Sequence, residues 1–451
     1  MSTASRDLAE DAEDAIRIVS GLLRRGDHGE AFRERRTVVT WSATEAGLLA
    51  PSLAEERGTA IRIRQEREAL LFAVEGDGPE ALRRVARDAS RRAGGSPFLK
   101  PHFRPIRNAS PGAGADPADD HATLLAQALA RALPDPRGLE LRLSLSRVVV
   151  TRAVITARAF FPCGTTSRLL ASGTVRRADA TRSISFQSAE PPAAAAESFS
   201  RALKEAVRPV PKAPPPPGVV DVVLAPTAAS VFWHEVVGHP LEAGGGGRPS
   251  ALSRVPHAVV GPPGLFVADD PGAANLPGSF RYDDEGTPAC RVPLIEDGRV
   301  VGLLTDRRSA GPGSNGHGRT ADYRRAPRPR LSNLVVPPGT SPIEELFGRC
   351  GTGLLVREIA AGSLEPESGR FLLFVAAADT IRRGRPATSV APFALSGDLL
   401  SALRHLDPVS ADTVFPAEGL GLCVKGGDAV PVGGSSPAIL LRGLTVTPGR
   451  S

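Results

Sequence analysis

The sequence predicts an α+β protein, with an N-terminal α/β scaffold followed by a β-rich, barrel-like C-terminal domain that carries one functional helix. Three observations predict it. Helical and strand periodicities alternate up to about residue 208, a proline-rich stretch with Pro214-Pro215-Pro216-Pro217 interrupts both, and from Val219 onward short β-prone runs punctuated by Gly and Pro dominate. The expected organisation is a scaffold or docking domain over 1–208, an extended linker over 209–218 and a second domain over 219–451. At 451 residues and 41% hydrophobic, the chain can furnish two cores.

The elements follow in order. Leu8, Ala12, Ile16, Val19 and Leu23 recur at helical spacing and end at Arg24-Arg25-Gly26. Residues 37–41, 59–64 and 69–74 are β-prone, the middle run alternating Ile61 and Ile63 with arginines. Gly78-Pro79-Glu80 opens a second helix with Leu82, Val85, Ala86 and Ala89 on one face and Gly94-Gly95 as its stop. Residues 105–120 read as a loop and 121–133 as a third helix, with strands expected over 141–150, near 154–160 and over 183–186. This half shows no nucleophile, phosphate loop or metal spacing. Beyond the prolines, 219–224 reads as a strand leading into a helix with Thr227 as N-cap. Later strands are expected over 265–268, in a hairpin over 292–304 turning at Asp297-Gly298, and over 354–357, 371–377 and 439–446.

Composition narrows the function. The net charge of +6 is almost all arginine, with lysine only at Lys100, Lys204, Lys212 and Lys425, and acids are interspersed throughout. Aromatics make up 4%, too few for a base-stacking platform, so nucleic acid is not an expected partner. No run approaches a membrane span, and Asp7, Glu10, Asp11, Glu13 and Asp14 break the cationic-then-apolar order of a signal peptide. Four scattered cysteines do not form a disulfide framework, and the expected location is the cytoplasm.

The chemistry concentrates in Val231-Phe232-Trp233-His234-Glu235-Val236-Val237-Gly238-His239-Pro240-Leu241-Glu242, of which His234, Glu235 and His239 carry the pattern. On an ideal helix, residues five apart lie about 140° apart around the axis, too far to share an ion. Gly238 and Pro240 flank His239, so the helix is expected to bulge or end there and bring His239 back toward His234. Glu235 then sits beside the metal without binding it, where a general base belongs. A catalytic zinc usually takes three protein ligands. The third candidate is Cys423, in the glycine-rich stretch Gly419-Leu420-Gly421-Leu422-Cys423-Val424-Lys425-Gly426-Gly427-Asp428.

These two stretches together resemble the TldD/PmbA family of metallopeptidases, once labelled modulators of DNA gyrase, and specifically its metal-binding, TldD-like branch. The resemblance places metal ligands at His234, His239 and Cys423. It extends through Asp283-Asp284-Glu285-Gly286-Thr287, Asn315-Gly316-His317-Gly318-Arg319 and Pro329-Arg330-Leu331-Ser332-Asn333. Departures are Val424 after the cysteine, Asp428 in place of a glutamine, an inserted run from Gly244 to Gly247, and a thinned glycine segment from Ala360 to Pro366. The resemblance implies one Zn²⁺ per chain, unfolded or short peptides as substrate, and a dimer, either with a PmbA-like chain or with itself.

Each residue also has a plainer reading. The histidines could be satisfied core imidazoles, and a single cysteine is more often a small buried apolar residue. Lys425 is either a stem over apolar surface or a cation that holds a thiolate ionised or orients a peptide carboxylate. Arg319, Lys425 and Asp284 are candidate substrate-binding residues. Two function classes follow: a zinc-dependent peptidase with Glu235 as base, or a non-catalytic regulatory or assembly subunit of a TldD/PmbA-type complex.

Overall fold

The computed structural model describes residues 12–23, 28–64, 69–92, 118–133, 137–177, 180–209, 211, 213–244, 249–407, 410–411 and 421–449. Asp7, Glu10 and Asp11, the Arg24-Arg25-Gly26 and Gly94-Gly95 stops, the loop up to residue 117 and most of the Gly244 to Gly247 run lie outside them.

The N-terminal half is an antiparallel sheet of seven strands: β1 (His28–Thr44), β2 (Gly47–Leu48), β3 (Ser52–Arg64), β4 (Ala69–Glu75), β5 (Leu139–Thr156), β6 (Phe160–Arg177) and β7 (Ala180–Ser188). Its order is β4-β3-β1-β5-β6-β7, with β2 on the end of β1. One face lies under helices. Ile61 and Ile63 pack with helices Ala12–Leu22 and Pro79–Arg92, while Leu141, Leu143 and Leu145 pack with Ala118–Ala132 and Pro192–Ala206. The period of two sends the alternate residues to the other face, which meets the C-terminal half. There Arg62 donates to the Asp284 carbonyl at 2.5 Å, Arg64 donates to the Arg307 carbonyl, and Phe32, Ala60 and Val154 pack with Tyr323.

The strands are longer than their apolar runs suggest. β1 spans 17 residues where only 37–41 is expected, and β6 and the helix Pro192–Ala206 have no full counterpart in the sequence reading. Pro192 is the reason for the second omission. It resembles a breaker yet occupies the first turn of the helix, where a missing N–H costs nothing.

In the C-terminal half, β8 (Gly218–Leu224) begins a closed five-stranded barrel. β8 pairs with Gly353–Leu364 and Ile439–Pro448, and the ring closes through Arg370–Arg382 and Phe393–Asp398. Against it lies a smaller five-stranded sheet that includes Val267–Asp269, Asn333–Val335 and Gly433–Ser435. The hairpin at Asp297-Gly298 forms, but its strands are only Val292–Glu296 and Arg299–Val300. Helix Pro226–Phe232 and the turn that continues it run between barrel and small sheet, with Ala228, Ala229, Phe232, Trp233, Val236 and Val237 all inaccessible. Thr227 is not its N-cap: Ala225 holds that position and Pro226 takes the first turn, its fixed φ suited to helix entry. No described helix is long and apolar enough to cross a membrane.

Candidate metal centre

The helix changes pitch where the histidines occur. After the α segment, Trp233–Gly238 is a π-helix, in which each amide reaches five residues back. The His239 amide accordingly donates to the His234 carbonyl, and Pro240 then forces a single 3-10 turn, His239–Leu241. The wider turn brings residues five apart onto one face. The imidazole centroids are 4.8 Å apart with planes at 78°. Gly238 permits this path because a Cβ there would stand 2.7 Å from the Leu331 side chain.

Cys423 reaches the pair from the opposite side, on the hairpin Leu422–Lys425 and Asp428–Pro431. Its Sγ is 3.4 Å from His239 Nε2, and one donor atom from each of His234, His239 and Cys423 lies within 4.8 Å of the others. Around a tetrahedral zinc-sized ion, N and S ligands stand about 3.3 to 3.7 Å apart. The set is slightly open but suited to such an ion. His234 Nδ1 is also buried without a protein partner. Burial would raise the Cys423 thiol, but the adjacent His234, with hydrogen bonds from both imidazoles, lowers it to about 4. Two nitrogens and a thiolate form a donor set for zinc-like transition metals, not for magnesium or calcium.

Beneath the donors lies a layer that the sequence reading missed. The Glu242 carboxylate accepts from His239 Nδ1 at 3.2 Å, from Lys425 Nζ at 2.5 Å and from the Leu331 amide at 3.0 Å. Burial opposes its charge, yet His239 and Lys425 hold it well below the usual carboxylate range. Against its own burial, Glu242 in turn holds the His239 imidazole well above its ordinary value. Arg330, fully buried, donates to the carbonyls of Asp428 and Cys423 and so fixes the thiol's hairpin. Gln187 on β7 donates to the carbonyls of Gly421 and Val432, at the two ends of that hairpin, so the N-terminal sheet also positions Cys423.

Glu235 stands beside this group, its Oε2 4.0 Å from His239 Nε2 and its side chain 22% exposed. Gly362, on the barrel strand Gly353–Leu364, makes room for it: a Cβ at Gly362 would lie 2.7 Å from Glu235 Cγ. The other candidates are engaged elsewhere. Lys425 forms its ion pair with Glu242. Arg319 donates to the carbonyls of Leu331 and Pro431, and Asp284 accepts from Arg152 at 3.1 Å and from the Thr320 amide at 2.8 Å. His317 is buried against Asp269 at 2.9 Å. Asp428, at the departure from the family pattern, accepts from the Ala321 amide.

Comparison with known proteins agrees with this architecture. A metalloprotease of Methanothermobacter thermautotrophicus is 32% identical over 253 residues, covering 54% of this chain and 54% of that protein. A metalloprotease TldD homolog of Haemophilus influenzae is 32% identical over 237 residues, 51% of this chain and 48% of its own. A zinc metalloprotease TldD homolog of Saccharolobus solfataricus is 27% identical over 236 residues, 51% and 52% of the two chains. The chain spans about half the length of the curated relatives it matches. The crystal structure of TldE from Thermococcus kodakarensis has the same fold, with a TM-score of 0.69 at 18% identity, over 96% of this chain and 99% of that one. The sequence profile of the PmbA/TldA metallopeptidase C-terminal domain matches residues 217–448, which hold the whole barrel, the His-Glu-x-x-x-His helix and the Cys423 hairpin, and the chain belongs to the TldD/PmbA family.

Proposed function

We propose that the protein is a zinc-dependent peptidase acting on unfolded or short peptides. The observation that carries this reading is the convergence of His234, His239 and Cys423, with the partly exposed Glu235 beside them. The three residues would hold a zinc ion, which when bound polarises a carbonyl and acidifies a water. Glu235 takes the proton of the attacking water and returns it to the departing amine. Glu242 fixes the His239 ring through Nδ1, leaving Nε2 as its ligand atom. The names of the relatives, metalloprotease and zinc metalloprotease, support the same chemistry.

A purely structural or regulatory metal site has no use for a free carboxylate beside its donors, which favours the enzyme over a non-catalytic subunit. The test separates binding from turnover. Glu235→Gln should keep about one zinc per chain and lose roughly 10²-fold of peptide hydrolysis. Cys423→Ala should lose the zinc as well. An active Glu235→Gln protein, or a Cys423→Ala protein with full zinc, would sink the respective assignment. We further propose a dimeric working form, with a PmbA-like or TldE-like chain or with itself, supported by the fold shared with TldE. In that form the N-terminal half acts as a scaffold over 1–208, joined by the proline linker 209–218 to the catalytic domain 219–451.

A further inference from the structure

The seam between the sheet and the C-terminal half holds a partly open cavity of about 50 Å³, lined by both charged and apolar side chains, apart from the His/His/Cys cluster. Alternate residues of β5 and β6, namely Arg152, Thr166 and Arg168, line one side, and Phe280, Tyr282 and Arg319 line the other. The three arginines are not equivalent. Arg152 is answered by carboxylates, with Nε on Glu34 at 2.7 Å and Nη1 on Asp284 at 3.1 Å. Arg319 gives its Nη atoms to the neutral carbonyls of Leu331 and Pro431 and lies 5.0 Å over the Phe280 ring. Arg168 is 9% exposed, its Nε is buried without a partner, and its side chain makes no hydrogen bond or ion pair to another protein group among the described residues.

A guanidinium carries five donors and cannot readily escape burial by losing its proton, so a buried one without an acceptor is costly. Burial, then repulsion from Arg152, Arg36 and Arg319, outweighs the attraction of Glu34 and brings Arg168 down to about 9. The cavity therefore favours an added negative charge. Two carboxylates also line it, and they limit which anion fits. Asp284 is spent on Arg152 and the Thr320 amide, while Asp283 accepts from the amides of Glu285, Thr287 and Gly318. A dianion such as a phosphate ester would be repelled by this pair at close range. A singly charged planar carboxylate, bidentate on a guanidinium and with apolar carbon against Val150 and Phe280, suits the lining.

We propose that this seam cavity is a carboxylate-binding subsite, with Arg168 as its recognition residue, and that its ligand is a carboxylate carried by a peptide, either the terminal group or an Asp or Glu side chain. It adjoins the metal centre through one hairpin. Pro431, which lines the cavity, is paired with Leu422, the residue before Cys423. The identity of the ligand rests on the peptidase reading, whereas the demand for an anion rests on Arg168 alone.

The test is equilibrium binding in the zinc-loaded full chain carrying Glu235→Gln, so that peptide is not consumed. Fluorescence anisotropy is read with one labelled pentapeptide of uncharged residues as the free acid, the same peptide amidated, and an amidated version containing a glutamate. The free acid or the glutamate peptide should bind about tenfold or more tighter than the neutral amide, and whichever does so names the source. Arg168→Gln should abolish the preference and Arg168→Lys should retain part of it. The acid and amide comparison is made with Arg168 intact, so it stands even if Arg168→Gln fails to fold. Equal binding of all three peptides, absence of saturable binding, or a preference that survives Arg168→Gln overturns the subsite. Hydrolysis by the Glu235 protein is read separately: turnover without acid preference removes the subsite and leaves the peptidase, and acid preference without turnover does the reverse.

Discussion

A carboxylate that accepts at once from His239, Lys425 and the Leu331 amide has no freedom to rotate, and Glu242 passes that rigidity to an imidazole. Such outer partners set the tautomer and raise the basicity of the ring they touch. Glu242→Ala should therefore weaken zinc binding about 10- to 100-fold while leaving the three donor residues in place. Competition with a chromogenic chelator measures this, and wild-type affinity in the variant would refute the role. The two histidines and Glu235 were legible because they form one short motif. Glu242 was not, although it follows His239 by three residues, because the 3-10 turn around Pro240 that aims it back cannot be read from a helical period. The sequence offers Lys425 as a cation near the thiolate or a cover for apolar surface, and its partner is this carboxylate.

At the scale of the element, the π turn and the barrel strand facing it decide where Glu235 stands. The five-residue spacing of His234 and His239, with Gly238 and Pro240 flanking the second, predicts the bulge, and the chain adopts it over Trp233–Gly238. The facing strand was less legible. Gly353–Leu364 was expected to stop at residue 357, yet it continues through register shifts into the segment that brings Gly362 against Glu235. Bulges of this kind interrupt the alternation that sequence reading depends on. A methyl group at Gly362 would lie 2.7 Å from Glu235 Cγ and 3.0 Å from Leu373. Gly362→Ala is thus expected to keep zinc and lose about tenfold or more in hydrolysis, on the scale of a misplaced general base. Metal analysis beside steady-state rates checks it, and unchanged rates would show that Glu235 does not need that room.

At the scale of the whole molecule, the seam between the halves is built from buried charge. Burial, then the neighbouring Glu30 and Asp283, raises Glu285 to about 8, while the Arg307 amide donates to it at 2.7 Å. Its proton is held in the folded state up to about pH 8 but released near pH 4.5 in the unfolded chain. The folded state then binds more protons across that window, so stability falls as pH rises through it, by on the order of a few kcal/mol. Thermal unfolding of wild type should lose ground to Glu285→Gln between about pH 5 and pH 8. Parallel melting curves would show the carboxylate to be ordinary. A dimer with an enclosed centre makes a further prediction: an unfolded protein should be digested while its folded form is spared, and light scattering should give twice the monomer mass. A fully active monomer, or equal cleavage of both forms, would defeat it. The arginines alternating with Ile61 and Ile63 are visible in the sequence, but Arg62 pairs with Glu30 on the neighbouring strand and both arginines reach carbonyls more than two hundred residues away, and no local period points to either.

The reach of that hairpin has a consequence for how the protein is made. His234 and His239 share one helix, whereas Cys423 follows His239 by 184 residues and its strand is anchored by Gln187 of the first sheet and by Arg330. Chains are synthesised from the N-terminus, and halves fold as they emerge. A nascent chain can thus wind the two imidazoles into place early, but it holds only two of three donors until residue 423 has left the ribosome and found both anchors. Translation order itself keeps the growing polypeptide from completing its centre while its own unfolded segments are still within reach.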